Sequence, residues 1–194
     1  GTSWAQEAML LAAGAVAGDE FGWSLGIAAD GSRVIVGAHY DTTAGGIGAG
    51  SARVFFRNVA SWSEEEMLVA VGGAADDELG TSVAIADDGS RAIAGAPMDD
   101  TPSGGDAGSA RVFLRTGTSW AAEATLLHSS AGVSDSFGAS VALSSDASRA
   151  LVGAPYDDVG AGVRAGSARV FFRNVATWTE EASLFASGGA MNDL

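Results

Sequence analysis

The middle of the chain alternates apolar and small or polar residues in the manner of half-buried β-strands. Residues 81–86 place branched apolar side chains on one side and small ones on the other. Residues 91–96 are nearly all apolar, as a strand buried on both faces would be, and Asp88-Gly89 predicts a hairpin turn between the two. Residues 108–115 alternate again, and a fourth strand is predicted from Trp120 onward. This stretch therefore predicts four strands in succession.

The fourth strand has a helical alternative. Ser63 followed by three glutamates and then Met67-Leu68 also has the pattern of a capped helix start. A helix of about nine residues is marginal on its own, and four strands complete one propeller blade. We therefore predict a strand.

The four-strand pattern recurs at a fixed interval of 58 residues without insertions or deletions. The interval is set by Trp4, Trp62, Trp120 and Trp178. Four-stranded units in tandem that cannot bury both faces alone are typical of a β-propeller. The prediction is an all-β propeller segment over 1–194, with four-stranded antiparallel blades at about 21–70, 79–128 and 137–186.

Residues 4–12 are predicted to form one extra outer strand whose own blade is missing. Propellers close with about four to eight blades, so three blades and one strand predict an open arc. We expect the arc to be part of a larger propeller or to be completed by a partner. A dimer forming a six-bladed ring is an alternative that the extra strand fits poorly.

The charge and cysteine content limit the classes of partner and site that we expect. The chain carries 24 acidic and 10 basic residues, all arginine, and a formal charge of −14, so nucleic acid and anionic membrane surfaces are excluded as expected partners. The absence of cysteine excludes disulfides, thiolate metal sites and a cysteine nucleophile, and leaves the compartment open. No apolar run is long enough to span a bilayer.

The repeat resembles the FG-GAP repeat family, whose best known members are the integrin α-subunit propellers. Phe21-Gly22, Phe137-Gly138 and Gly153-Ala154-Pro155 carry the resemblance, while Leu79 and His39 depart from it in single copies. The resemblance implies a β-propeller that serves as a binding or adhesion platform. It also implies an extracellular or cell-surface location, with an organelle lumen as the other compartment.

The resemblance also raises calcium binding, because several integrin-type repeats hold calcium between their first two strands. Here those loops are short turns around Asp30, Asp88 and Asp146. Calcium requires about six to eight oxygen ligands, which one or two carboxylates cannot supply. The chain is therefore identified with a subtype lacking the calcium loop, and no cofactor is expected, calcium being the one weak candidate.

Most charged residues recur in every copy, which favours structural roles over catalysis. Nine of the ten arginines are fixed by the repeat, and we expect them to bridge strands or pair with the repeated aspartates. Asp19, Asp77 and Asp135 are expected to accept backbone N–H bonds in the turn before each blade. The two histidines, His39 and His128, lie outside any catalytic or metal-binding spacing, and surface or packing roles are expected for both.

The acidic loops after the Gly-Ala-Pro motif are the best functional candidates. The weak metal candidates are Asp99, Asp100, Asp157 and Asp158. The candidate interaction residues are Tyr40, Asp41, Asp106, Tyr156 and Trp23. Solvated turns are the alternative for the carboxylates, and blade packing is the alternative to a partner or sugar contact for Trp23. Adjacent carboxylates in extended chain point to opposite sides, so they make poor glycosidase pairs.

These observations favour a non-enzymatic interaction or scaffolding propeller, extracellular or an accessory subunit of a larger assembly. Its partner would be another protein or the remaining blades of the same chain. A calcium-assisted adhesion propeller and a glycan-binding or glycan-cleaving propeller enzyme are the alternatives. No catalytic residue is assigned. The partner, the total number of blades and the compartment stay open at this stage.

Overall fold

The computed structural model describes residues 3–59, 61–159 and 163–186, which form β-strands, turns and loops without a helix. No helix capable of crossing a membrane is therefore found among these residues. The strands are β1 (Leu25–Ile27), β2 (Arg33–Ala38), β3 (Ser51–Asn58), β4 (Ser61–Leu68), β5 (Ser82–Ile85), β6 (Arg91–Ala96), β7 (Ser109–Thr116), β8 (Ser119–Leu126), β9 (Ser140–Leu143), β10 (Arg149–Ala154), β11 (Ser167–Asn174) and β12 (Thr177–Leu184).

The strands form three four-stranded antiparallel sheets, each built from consecutive strands in the order of the chain. Sheet 1 contains β1–β4, sheet 2 contains β5–β8 and sheet 3 contains β9–β12. The predicted fold class, an all-β arrangement of propeller blades in an open arc, is confirmed. The fourth element of each copy is a strand, as predicted, and the helical alternative is wrong.

Local sequence explains the hairpins. In the turn between the first two strands of each sheet, an aspartate accepts the backbone N–H two residues later, which fixes the turn. Five of the six residues of β6 are buried, as expected for a strand covered on both faces. A β-bulge interrupts the pairing of the third and fourth strands at the same position in all three sheets, between a valine and the following phenylalanine.

Neighbouring sheets approach most closely at their first strands and diverge toward their fourth strands, which is the geometry of propeller blades. The two glycines of the repeat motifs make this approach feasible. A Cβ atom on Gly95 of sheet 2 would overlap the carbonyl oxygen of Gly138, which opens sheet 3. Gly138 itself has a φ of 101°, a conformation that glycine adopts without strain. Both glycines are thus required where two backbones touch.

The segment before β1, where the extra outer strand is predicted, keeps the contacts of an outer strand although residues 3–11 carry no strand ladder of their own. Glu7 forms an ion pair with Arg57 at 2.5 Å. The Ala13 N–H donates to Glu64 at 2.9 Å. Trp4 is fully exposed. The missing ladder follows from the absence of sheet partners for this segment among the described residues.

Candidate functional site

The contact between sheets is apolar and repeats along the arc. Between sheets 1 and 2, Ile35, Val54 and Leu68 pack against Val83 and Ile85 of the next sheet. The corresponding residues of sheets 2 and 3 form a second cluster of the same kind, which contains Ile93, Val112, Leu126, Val141 and Phe171. Each sheet therefore has two different apolar faces, one for the preceding sheet and one for the following sheet.

At the two ends of the arc these faces are exposed. Leu25 and Ile27 of β1 are 70% and 64% exposed, whereas their counterparts Val83 and Ile85 are 7% and 8% exposed. A cavity of about 320 Å³ lies over β1 and β2 and is lined by Leu10, Leu25 and Ile27, among other apolar residues. The first sheet thus presents an open apolar surface, termed the leading face.

The last sheet presents the opposite face. Leu151 and Leu184 are 41% and 48% exposed, whereas Ile93 and Leu126 at the same positions of sheet 2 are 0% and 2% exposed. This surface, termed the trailing face, also includes Ala168 and Val170, which occupy the positions of buried Ala110 and Val112. The arc therefore exposes, at its two ends, the two complementary halves of its own internal interface.

A polar relay crosses each internal interface near the outer strands. Arg33 donates two hydrogen bonds of 2.9 Å to the carboxylate of Glu65, and the indole N–H of Trp120 in the next sheet donates to the same carboxylate at 3.1 Å. Burial raises the pKa of Glu65, but the hydrogen bonds from Arg33 and Trp120 outweigh burial and leave this pKa below its ordinary value. Arg91, Glu123 and Trp178 repeat the relay between sheets 2 and 3.

The bulge explains why a glutamate stands here. Val54 pairs with Glu66 and Phe55 pairs with Glu64, so Glu65 is the extra residue of the bulge. A bulge redirects a side chain out of the regular alternation, which brings Glu65 to Arg33 on β2. At the trailing face the relay lacks its third member among the described residues. Arg149 and Glu181 still pair at 2.9 Å, but their side chains are 49% and 42% exposed.

The first aspartate of each predicted acidic loop is buried and held by its own sheet. Asp99, a weak metal candidate from its sequence, accepts hydrogen bonds from Ser109 at 2.5 Å and from Arg111 at 2.6 Å. Asp41, a predicted interaction residue, has the same partners in Ser51 and Arg53. Asp157 repeats the arrangement with Ser167 and Arg169. The expected pairing of repeated arginines with repeated aspartates is confirmed.

The second aspartate of two loops shapes the loop itself. Asp100 accepts the backbone N–H of Asp106 at 3.0 Å, and Asp158 accepts that of Arg164 at 2.7 Å. Asp99 and Asp157 are buried while Asp100 and Asp158 are exposed, so each adjacent pair points in opposite directions. The structure therefore does not bring the carboxylates of either pair together.

One cluster of possible metal ligands is found among the described residues, at His128, Asp135 and Asp157. The Nε2 atom of His128 lies 3.4 Å from Asp157 and also contacts the guanidinium of Arg169. Burial, followed by the charge of Arg169, lowers the pKa of His128, so the imidazole is neutral at pH 7. The guanidinium of Arg169 pairs with Asp157 and contacts the imidazole, so the arrangement in this structure is a network of charged and hydrogen-bonding side chains.

The predicted turn aspartates behave as expected. Asp19, Asp77 and Asp135 each accept a backbone N–H three residues earlier in the chain. Burial raises the pKa of Asp77 and Asp135, and the bonds from Ala74 and Gly132 offset this only in part. These side chains fix the turn that leads into each sheet.

Two of the three predicted aromatic residues, Trp23 and Tyr40, meet at one histidine ring. Trp23 is 60% exposed and packs on the buried ring of His39 at a centroid distance of 4.5 Å, and Tyr40 packs on the same ring at 4.0 Å. Tyr156 stacks with the guanidinium of Arg164 at 5.2 Å. Both histidines are buried, so the packing role applies and a surface role for them is wrong.

The open arc predicted from the sequence implies exposed blade faces at its ends, but sequence reasoning missed the residues that form the leading and trailing faces and the glutamates of the relay. The recurring Glu7, Glu65, Glu123 and Glu181, each 58 residues apart, were the available signal for the relay.

The model of the FG-GAP repeat family matches residues 4–55, 62–113 and 120–171. The second and third matches begin in the outer strand of one sheet and continue into the next, so each of these two repeats spans an interface. No curated protein matches the chain. Among solved structures, the crystal structure of Sqt1 from Saccharomyces cerevisiae is similar, with a TM-score of 0.54, 11% identity and 89% coverage of this chain. The chain spans 38% of the length of that structure, and the likeness concerns the fold alone.

Proposed function

Since the chain belongs to the FG-GAP repeat family, we propose that it is a non-enzymatic protein-interaction and scaffolding module that binds further blades of the same kind at its two end faces. One observation supports this function above the others. Leu25 and Ile27 are exposed at positions where the same repeat buries Val83 and Ile85 against a neighbouring sheet.

The chemistry of the partner follows from the internal interfaces. The trailing face fits a four-stranded sheet that brings small and branched apolar residues against Leu151 and a tryptophan toward Glu181, as sheet 2 brings Trp120 toward Glu65. The leading face fits a sheet with an isoleucine or leucine at the position of Ile35. Apolar burial would drive the contact, and the Trp–Glu bond would set its register.

Because both halves of the interface lie on one chain, the isolated chain is expected to self-associate head to tail, with β12 of one copy displacing residues 4–12 of the next copy from the outer-strand position that they hold. Such heterologous contacts form rings when they close and chains when they do not. The charge of −14 opposes association, so the measurement belongs at about 0.15 M salt or above, where the Debye length is about 8 Å or less.

The test is light scattering after size exclusion, or sedimentation velocity, over increasing chain concentration. Wild-type chain is expected to form species heavier than the monomer, and Leu25→Glu or Leu151→Glu alone is expected to abolish them. Val59→Glu, at an 85% exposed hairpin tip, is the charge-matched control and should behave as wild type. Wild-type chain that stays monomeric at high concentration would argue against the proposal, as would a Leu25→Glu variant that associates normally.

The extracellular or cell-surface location remains part of this proposal and rests on the family alone. Antibody labelling of intact, unpermeabilised source cells tests it, and labelling only after permeabilisation would overturn it.

A further inference from the structure

In the first copy the guanidinium of Arg53, termed the arginine clamp, pairs with a second carboxylate besides that of Asp41. Arg53 donates to Oε1 of Glu64 at 2.9 Å, and Oε2 of Glu64 accepts the backbone N–H of Ala13 at 2.9 Å. The carboxylate thus bridges a guanidinium and the segment that leads into the sheet. The third copy repeats this bridge with Arg169, Glu180 and Ser129.

The middle copy keeps both donors but lacks the carboxylate. Arg111 and Val71 stand at the positions of Arg53 and Ala13, and Ala122 stands where the other copies have glutamate. The Nη1 atom of Arg111 donates to the hydroxyl of Thr125 at 2.9 Å instead. No carboxylate of the described residues accepts a hydrogen bond from the Val71 N–H.

A cavity replaces the missing side chain. It has a volume of about 200 Å³ and is lined by Arg111, Thr125, Phe113 and Ala122, with Val71 at its edge. A second cavity of about 170 Å³ shares Phe113, Ala122 and Val71 with the first and extends to Met67 and Trp120, and Glu66 also lines it. Because the two cavities share lining residues, together they lead from the cationic Arg111 to an apolar extension at Met67 and Trp120, with Glu66 beside it.

We propose that the middle repeat binds a short aliphatic monocarboxylate in these joined cavities. Its carboxylate takes the place of the missing glutamate between the Arg111 guanidinium and the Val71 N–H, and its alkyl chain lies along Phe113 toward Trp120. Arg111 already pairs with Asp99 at 2.6 Å, but Arg53 holds both Asp41 and Glu64, so this clamp accommodates two carboxylates. The apolar extension and the charge of −14 disfavour dicarboxylates and phosphates.

The experiment is a ¹H–¹⁵N NMR titration of the wild-type chain with sodium acetate, butyrate and hexanoate, each against sodium chloride at the same ionic strength. We expect saturable shifts at the Val71 amide and the Arg111 Nε–H, with a Kd of about 1–10 mM for butyrate, as befits a ligand of few atoms. Affinity should rise by roughly two- to fourfold per added methylene, because each one buries apolar surface.

Two variants localise the binding. Ala122→Glu restores the glutamate of the sister copies and is expected to abolish the Val71 shifts. Ala121→Glu adds the same charge at the adjacent exposed residue and should leave them intact. The absence of saturation at Val71 in the wild-type chain overturns the proposal without any variant. Equal shifts with sodium chloride, or unchanged shifts in a folded Ala122→Glu variant, overturn it as well.

Discussion

Removal of the Glu65 carboxylate should destabilise the protein far more than the same change at Glu181. The two glutamates occupy the same bulge position in sheets 1 and 3, and each makes a two-pronged ion pair with an arginine at 2.9–3.1 Å. They differ in surroundings. The side chains of Arg33 and Glu65 are 11% and 5% exposed, and Trp120 adds a third bond, whereas Arg149 and Glu181 are about half exposed.

The expected magnitudes follow from this difference. Glu65→Ala leaves the Arg33 guanidinium buried with only its contact to the Phe56 ring, and leaves the Trp120 N–H without its acceptor. Loss of one partner of a buried pair costs about 3–5 kcal/mol, and partial access of water to this outer position reduces the expectation to about 2–4 kcal/mol. Glu181→Ala removes an exposed pair that solvent screens, so it should cost far less than Glu65→Ala.

The assay is urea unfolding at pH 7 and about 0.15 M salt, near physiological ionic strength, for wild type, Glu65→Ala, Glu123→Ala and Glu181→Ala. Glu123 has the buried surroundings of Glu65 and should match it. Unchanged m-values would show that the free energies are comparable among the variants. Equal losses at Glu65 and Glu181 would refute the reasoning, because the sheet contact would then contribute nothing to the relay.

Three further predictions concern other elements. Gly95→Ala should lower the free energy of unfolding in urea by about 3 kcal/mol or more, because its Cβ would overlap the Gly138 carbonyl. Gly153→Ala, whose Cβ would lie 3.6 Å from its nearest neighbour, should change that free energy by about 1 kcal/mol or less. Similar losses in the two variants would contradict this. His128→Ala should remove part of the fall in Tm below pH 6.5. Because the pKa of His128 is lowered in the folded protein, the unfolded chain binds more protons just below pH 6.5, and the stability of the wild type rises with pH up to that value. Parallel Tm–pH curves for wild type and variant would contradict this. Excess calcium or chelator should leave Tm unchanged, since the turn aspartates already accept backbone N–H bonds, and a calcium-dependent rise in Tm would revive the adhesion alternative.

The local structure could be predicted from sequence because the repeat makes each signal appear three times. Alternation identified the strands, and the recurrence of Asp77 and Asp135 before each sheet indicated a turn acceptor, which the structure confirms. The pairing of Arg111 with Asp99 could also be predicted, since both residues recur and lie in the same copy of the repeat.

The open arc implied exposed end faces, but the relay and the residues of those faces could not be predicted in the same way. Glu65 is the extra residue of a bulge, so the two-residue period of a strand does not give its direction. Its partner Trp120 lies 55 positions later, in another sheet. The exposure of Leu25 is likewise a property of sheet order, because the same sequence position is buried in sheet 2. The cavity beside Arg111 depends on a single departure from the repeat, at Ala122.

The most direct test of the proposed interaction surfaces is sedimentation velocity of an equal mixture of Leu25→Glu and Leu151→Glu chains. Leu25→Glu retains the trailing face and Leu151→Glu retains the leading face, so one productive contact remains, between unlike chains. We predict that each variant alone sediments as a monomer and that the mixture forms a heterodimer of twice the 19.3 kDa chain mass. A mixture that stays monomeric, at concentrations where the wild-type chain associates, would contradict the account.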